Sequence, residues 1–271
     1  MKVFKKVLNF YIQSSIHVAL SVFALVQITD CMFQIPMDQA VAYFAFFGTI
    51  VGYNFVKYDS VVRTKKLQIR NSLKAIILFS LFSFIAVGYF FFQLQRITQI
   101  VSVAFLVLTL LYTLPFFPNR RNARNWAGVK IYIVALCWVG VTLGLPILNA
   151  EIAITSDFYL KCVQRFLLIF ILILIFEIID LANDDPHLQT VPQQIGVKRT
   201  KILGYILTII FYFLEFLKTN FDQKQLIVNL ILVSSIAFFL LFANEKRSKY
   251  YTSFWVESIP IIWWLMLLLI Q

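Results

Sequence analysis

Charge is scarce in these 271 residues. Only 14% are Asp, Glu, Lys or Arg, while 61% are hydrophobic. A soluble domain of this length needs far more polar surface to cover its core. Histidine is nearly absent: His17 and His187 are the only two, which argues against a His-based metal site. Cysteine is limited to Cys31, Cys137 and Cys162, all in or beside apolar runs and none in C-x-x-C spacing. An odd, scattered count argues against a disulfide framework or a zinc site. Low-complexity stretches and linkers are missing too, so residues 1–271 read as a single transmembrane domain. No small-residue cleavage site closes the first apolar run, which therefore reads as a span rather than a removable signal.

What the chain has is apolar runs near 20 residues, the length that crosses about 30 Å of hydrocarbon at 1.5 Å per residue. They fall at 9–29, 37–56, 74–94, 97–117, 128–149, 160–180, 201–219, 225–243 and 252–270. The expected fold class is therefore all-α, a polytopic membrane bundle of about nine helices. Counts of eight or ten would also divide the chain, but nine fits best. Glu257 and Pro260 interrupt the last run and predict a kink there.

The net charge of +11 would suggest nucleic acid in a soluble protein. Here the basic residues sit between apolar runs, so topology and contact with membrane lipids account for them and no nucleic-acid partner is expected. Nineteen of the 24 Lys and Arg fall on one set of alternate loops. The other set carries only Arg96, Lys161, Arg165, Lys218 and Lys224. Basic loops stay in the cytoplasm, which predicts a cytoplasmic N-terminus and a C-terminus outside.

Most acids lie in loops. The exception is the end of the sixth run, where Glu177, Asp180 and Asp184 are spaced i, i+3, i+7. If the helix continues to Asp184, the three carboxylates share one face. Their repulsion is costly unless a cation or basic side chains offset it. Such oxygen donors suit Mg²⁺ together with diphosphate oxygens. The plain alternative is that the acids only cap the membrane edge. Glu215 and Glu257 are expected in the outer halves of their spans and receive no role. His17 reads as a polar residue inside the bundle and His187 as an exposed loop residue.

The stretch Asp180-Leu-Ala-Asn-Asp184, followed by Thr190, Pro192 and Gly196, resembles the second aspartate-rich motif of the UbiA superfamily of intramembrane prenyltransferases. That motif runs D-x-x-x-D, a short gap, then T-x-P-x-x-x-G. Its specific part covers about 20 residues, and the span count and orientation agree with the family over most of the chain. The family's first motif, N-x-x-x-D, has Asn54 in place. Tyr58 stands where the aspartate belongs, and Asp59 follows one residue late. A one-residue slip rotates a helical side chain by about 100°. A third family pattern, Y-x-x-x-K, has Tyr112, but Phe116 replaces the lysine.

The resemblance implies transfer of a prenyl group from a prenyl diphosphate to a lipophilic or aromatic acceptor within the membrane. It implies Mg²⁺ on Asp180, Asp184, Glu177 and Asn54, with Asp59 as a further catalytic candidate. Lys57, Tyr112, Arg120, Arg121 and Lys130 are the implied diphosphate contacts. The expected location is a bacterial inner membrane, with the site facing the cytoplasm. The rival reading is a catalytically degenerate UbiA-fold protein that binds an isoprenoid or a protein partner. A secondary transporter fits less well, because such proteins hold their charged sites near the midplane in broken helices.

Overall fold

The computed structural model describes residues 2–36, 39–64, 71–114, 128–219 and 222–270. Among the described residues there is no strand, and nine helical segments are long and apolar enough to span a bilayer. In hydrocarbon every backbone polar group must be satisfied within the chain, and helices do this internally. Among the described residues there are eleven α-helices, of which all but the first contribute to the nine spans. They are α1 (Lys2–Gln13), α2 (Ile16–Phe33), α3 (Gln39–Thr64), α4 (Asn71–Phe91), α5 (Arg96–Thr113), α6 (Lys130–Val139), α7 (Leu145–Asn149), α8 (Ser156–Asp180), α9 (Val191–Phe213), α10 (Gln223–Phe242) and α11 (Ile259–Ile270).

Two spans form the interior. Ile16–Phe33 and Ser156–Asp180 are each 67% buried, against 11% for Leu73–Phe91, so the others wrap around α2 and α8 and show their apolar sides to lipid. The largest buried cluster joins Leu168, Ile171, Ile175 and Ile178 of α8 to Leu25 and Ile28 of α2, and to Leu232, Ile236 and Trp263. Lipid tails are as apolar as leucine, so close packing and internal hydrogen bonds, not water exclusion, hold such helices together.

The first span starts later than the sequence suggests. Residues 9–13 belong to α1, a separate helix with Lys5, Lys6, Phe4 and Val7 exposed. An elbow at Ser14-Ser15 separates it from α2, with Ser15 at φ 62°. The seventh span starts earlier, at Val191, because its polar first turns are helical too.

Two spans are broken by proline, which lacks an N–H and clashes with the carbonyl four residues back. In the fifth, a π-helical turn Gly140–Gly144 precedes Pro146. The Thr142 carbonyl freed by Pro146 accepts Thr29 Oγ1 at 2.7 Å. In the ninth, a π-helical turn Tyr251–Val256 and a two-residue turn precede Pro260, so the regular helix is interrupted there. There the Phe254 carbonyl lies 2.8 Å from His17 Nε2, and the Glu257 carbonyl accepts the Ser21 hydroxyl.

One glycine is needed for helix contact. A Cβ on Gly140 would sit 1.9 Å from the Phe105 ring, so only glycine lets α5 approach the fifth span this closely.

Polar side chains are also buried in the half of the bundle away from the acidic motif. Arg165 is 2% exposed and donates to the Leu25 carbonyl at 3.0 Å and to Thr142 Oγ1 at 2.9 Å. Glu215 receives Lys161 Nζ at 2.6 Å, with Lys218 Nζ at 3.0 Å. Gln164 and Asn229 donate to the same Glu215 oxygen as Lys161.

Candidate functional site

The helix does not continue to Asp184. α8 ends at Asp180, and residues 181–183 form a turn. One bond of helical type remains, from Asp184 N–H to the Asp180 carbonyl at 2.9 Å. It keeps the two aspartates together at the α8–α9 junction, both half-buried. Asp184 Oδ2 is buried and has no hydrogen-bond partner among the described residues. Lys249 and Lys130 lie within electrostatic reach of the Asp180 carboxylate.

Glu177 does not join them on a common open face. It is 4% exposed, and its Oε2 accepts the Val191 N–H at 3.1 Å. Val191 is the first residue of α9, so the carboxylate satisfies one of the free N–H groups at a helix start and sits at its positive end. Among the described residues no group of three or more His, Cys, Asp or Glu is gathered as a metal would need.

The rest of the motif shapes the loop. Asp185 accepts the His187 N–H at 2.9 Å and starts the short turn Pro186–Leu188. Thr190 is the N-cap of α9, and its N–H donates to Gln193 Oε1 at 2.9 Å, one half of a capping box. Pro192 lies in the first turn, where its missing N–H costs nothing. Gly196 sits at φ 80°, a conformation that side-chain-bearing residues avoid, and kinks α9 there. The Gly128 N–H donates to the Leu188 carbonyl at 3.2 Å, which brings the start of α6, with Lys130, against this loop.

Asn54 is committed elsewhere. Its Oδ1 accepts Ser15 Oγ at 2.8 Å, and its Nδ2 donates to the Ser14 carbonyl at 3.1 Å and to Ser80 Oγ at 2.8 Å. It is 4% exposed and holds the α1–α2 elbow against α3 and α4. Tyr58, standing in the aspartate position, donates to the Gln13 carbonyl at 3.0 Å. Lys57 is exposed, with Nζ 3.5 Å from Ser15 Oγ. The Asp59 side chain, Arg120 and Arg121 lie outside the described residues.

Tyr112, at the same end of the bundle, is buried and within electrostatic reach of Tyr53. The Tyr53 hydroxyl accepts Trp138 Nε1 at 2.9 Å. Sequence reasoning missed Glu257. It lies six residues into the span Tyr251–Ile270, on the side of Lys249 and Asp180 rather than in the outer half. The signal was available, because the span is entered from the basic segment Lys246–Lys249. Glu215 does lie in the far half, at the end of Val191–Leu217. His17 is a bundle residue as expected, with Tyr11 OH 2.7 Å from Nδ1.

The chain is similar in structure to the apo UbiA homologue from Aeropyrum pernix K1, with TM-score 0.67 and 12% identity over 94% of this chain and 98% of that one. It is also similar to a digeranylgeranylglyceryl phosphate synthase, with TM-score 0.58 and 14% identity over 98% and 97%. Both neighbours are UbiA-superfamily proteins, and the fold of this chain is theirs over nearly its whole length. By sequence, no family model and no curated protein matches. The protein is thus a multi-pass helical membrane protein of UbiA-like fold.

Proposed function

We propose that this chain is a Mg²⁺-dependent intramembrane prenyltransferase. It would move a prenyl group from a prenyl diphosphate to a lipophilic or aromatic acceptor. The observation that carries the reading is the buried Asp184 oxygen beside Asp180, unpartnered among the described residues, at the α8–α9 junction of a UbiA-like bundle, with Lys130 and Lys249 in electrostatic reach of Asp180. A buried carboxylate oxygen without a partner is costly unless a ligand takes it up.

The donor set fits Mg²⁺. That ion is usually held by one or two carboxylates, with substrate phosphates and water completing its shell. Asp180 and Asp184 would supply the carboxylates. Glu177 then serves as the cap of α9 rather than as a ligand. When bound, the metal would neutralise charge on the departing pyrophosphate. Lys130, Lys249 and Lys57 would hold the diphosphate oxygens, with Arg120 and Arg121 as further candidates. Tyr112, in the last turn of α5, and Tyr53 would meet the prenyl chain. The basic bias of the loops supports a cytoplasmic placement of this face and of the N-terminus, in an inner membrane.

One observation favours the rival. Asn54 already uses both amide atoms within the fold, which suits a UbiA-fold protein that binds an isoprenoid without turning it over. Binding of geranylgeranyl diphosphate to the purified protein, with and without Mg²⁺, separates the two. Mg²⁺-dependent binding that is lost in Asp180→Asn/Asp184→Asn is the expected result. Metal-independent binding of equal strength in both proteins, or no binding, would remove the enzyme reading.

A further inference from the structure

The first helix is shaped for a surface and not for a span. With twelve residues α1 is about 18 Å long, well short of the roughly 30 Å of hydrocarbon. The left-handed residue Ser15 breaks it from α2. Its second half is fastened where spans begin and end. Asn9 Oδ1 accepts the hydroxyl of Tyr250, which directly precedes the ninth span. The Gln13 carbonyl accepts the hydroxyl of Tyr58, the last residue of the second. Phe10 meets Phe79 of α4 edge-on, with ring centroids 6.3 Å apart. α1 is therefore held at the membrane edge, on the side of Lys57 and Lys249.

Its first half has little of the protein against it. Phe4 is 73% exposed and Val7 62%. Phe4, Val7 and Tyr11 are spaced i, i+3, i+7 and share one face. At the Tyr11 end that face meets the bundle, through the bond to His17. At the Phe4 end the same face runs past the bundle's edge. Lys5 and Lys6 follow Phe4 by about 100° and 200° around the helix, so they flank the opposite side. Both are exposed, and neither has an ion pair among the described residues. Aromatic and aliphatic side chains on one face with lysines on the other suit a helix lying in the plane of the interface. At headgroup level an exposed face is surrounded by phospholipid, and two unpaired ammonium groups beside it select anionic phosphates.

We infer that α1 is a docking strip for anionic phospholipid. Phe4 and Val7 insert among the upper acyl chains of the leaflet on the Lys57 side. Lys5 and Lys6 lay their methylene stems along the interface and bind the phosphate groups of anionic lipids.

The test is hydrogen–deuterium exchange of the full-length protein, one copy per nanodisc, in discs of POPC alone or of POPC and POPG in equal parts. In wild type the α1 amides should exchange about thirtyfold more slowly with POPG present, about fivefold for each lysine. High salt should remove most of that difference, because exposed charges are screened. Lys5→Gln/Lys6→Gln should abolish it, while the α8 amides stay as in wild type. Phe4→Ser/Val7→Ser should speed exchange of α1 in both lipids. Equal rates for wild type in the two lipids, or a difference that persists in high salt or in the lysine variant, overturns the inference. So does wild-type exchange in Phe4→Ser/Val7→Ser, which would put that face outside the bilayer. Slow exchange that appears only with two copies per disc would overturn it as well and assign the face to a second copy of the chain. The salt comparison uses wild type alone, so the inference can fail even if a variant does not fold.

Discussion

Glu177 Oε2 accepts the N–H of Val191 at 3.1 Å, so the last turn of α8 holds the first residue of α9 across the loop that carries Asp184. Glu177→Ala leaves that N–H without its partner at a half-buried position. The expected loss is about 1–3 kcal/mol of unfolding free energy. Glu177→Gln retains an acceptor oxygen and should lose less than half as much. Denaturant titration of both variants in the same detergent checks the order. Equal losses would show that the hydrogen bond is not what matters.

The Lys161–Glu215 pair is buried on both sides, with side chains 6% and 2% exposed. Removing one partner of such a pair strands the other. Glu215→Leu should therefore cost about 3–5 kcal/mol. Lys161→Met/Glu215→Leu should recover a substantial part of that loss, because the more deeply buried of the two cations on Glu215 is then removed with it, leaving only Lys218, which is 14% exposed. A double-mutant cycle on unfolding free energies measures the coupling. Additive losses would mean that Gln164, Asn229 and Lys218 hold Glu215 without Lys161.

Gly140 faces the Phe105 ring at a distance that no side chain tolerates. Gly140→Ala should destabilise the protein by about 1–3 kcal/mol through overpacking. Adding Phe105→Leu should relieve that loss. Failure of the second change to help would locate the strain in the π-helical turn itself rather than in the α5 contact.

Lys130 and Lys249 are expected to weaken geranylgeranyl diphosphate binding by about tenfold each when changed to Ala, the scale of one charge-assisted hydrogen bond. The Mg²⁺ requirement should persist in both variants, because the aspartates remain. Titration by intrinsic fluorescence at fixed salt reads both quantities. Unchanged affinity in both would leave these lysines a purely topological role.

The nine spans were legible because each is a long apolar run, and run length is local information. The elbow at Ser14-Ser15 was not. Residues 9–13 are apolar enough to pass as the start of a span, and the bonds that fix the break come from Asn54, 39 residues away. The spacing of Asp180, Asp184, Thr190 and Gly196 was also local, and each has an identifiable place at the α8–α9 junction. The end of α8 at Asp180 was hidden, and with it the separate fate of Glu177, whose partner is a backbone N–H that periodicity cannot reveal. Glu257 was assigned to the wrong half of its span. The run of hydrophobicity was counted correctly, but the side from which the chain enters it was not followed.

His17 meets the Phe254 carbonyl across 237 positions of sequence, and Ser21 meets Glu257 across 236. The helix α2 is therefore stitched to the ninth span. Until the ninth span is inserted, His17 Nε2 and the Ser21 hydroxyl lack these two carbonyls. Loop closure over such separations is slow and comes late. Insertion of the ninth span thus acts as the step that completes the interior, and a chain cut after α10 would keep the two aspartates but leave the bundle an open ring.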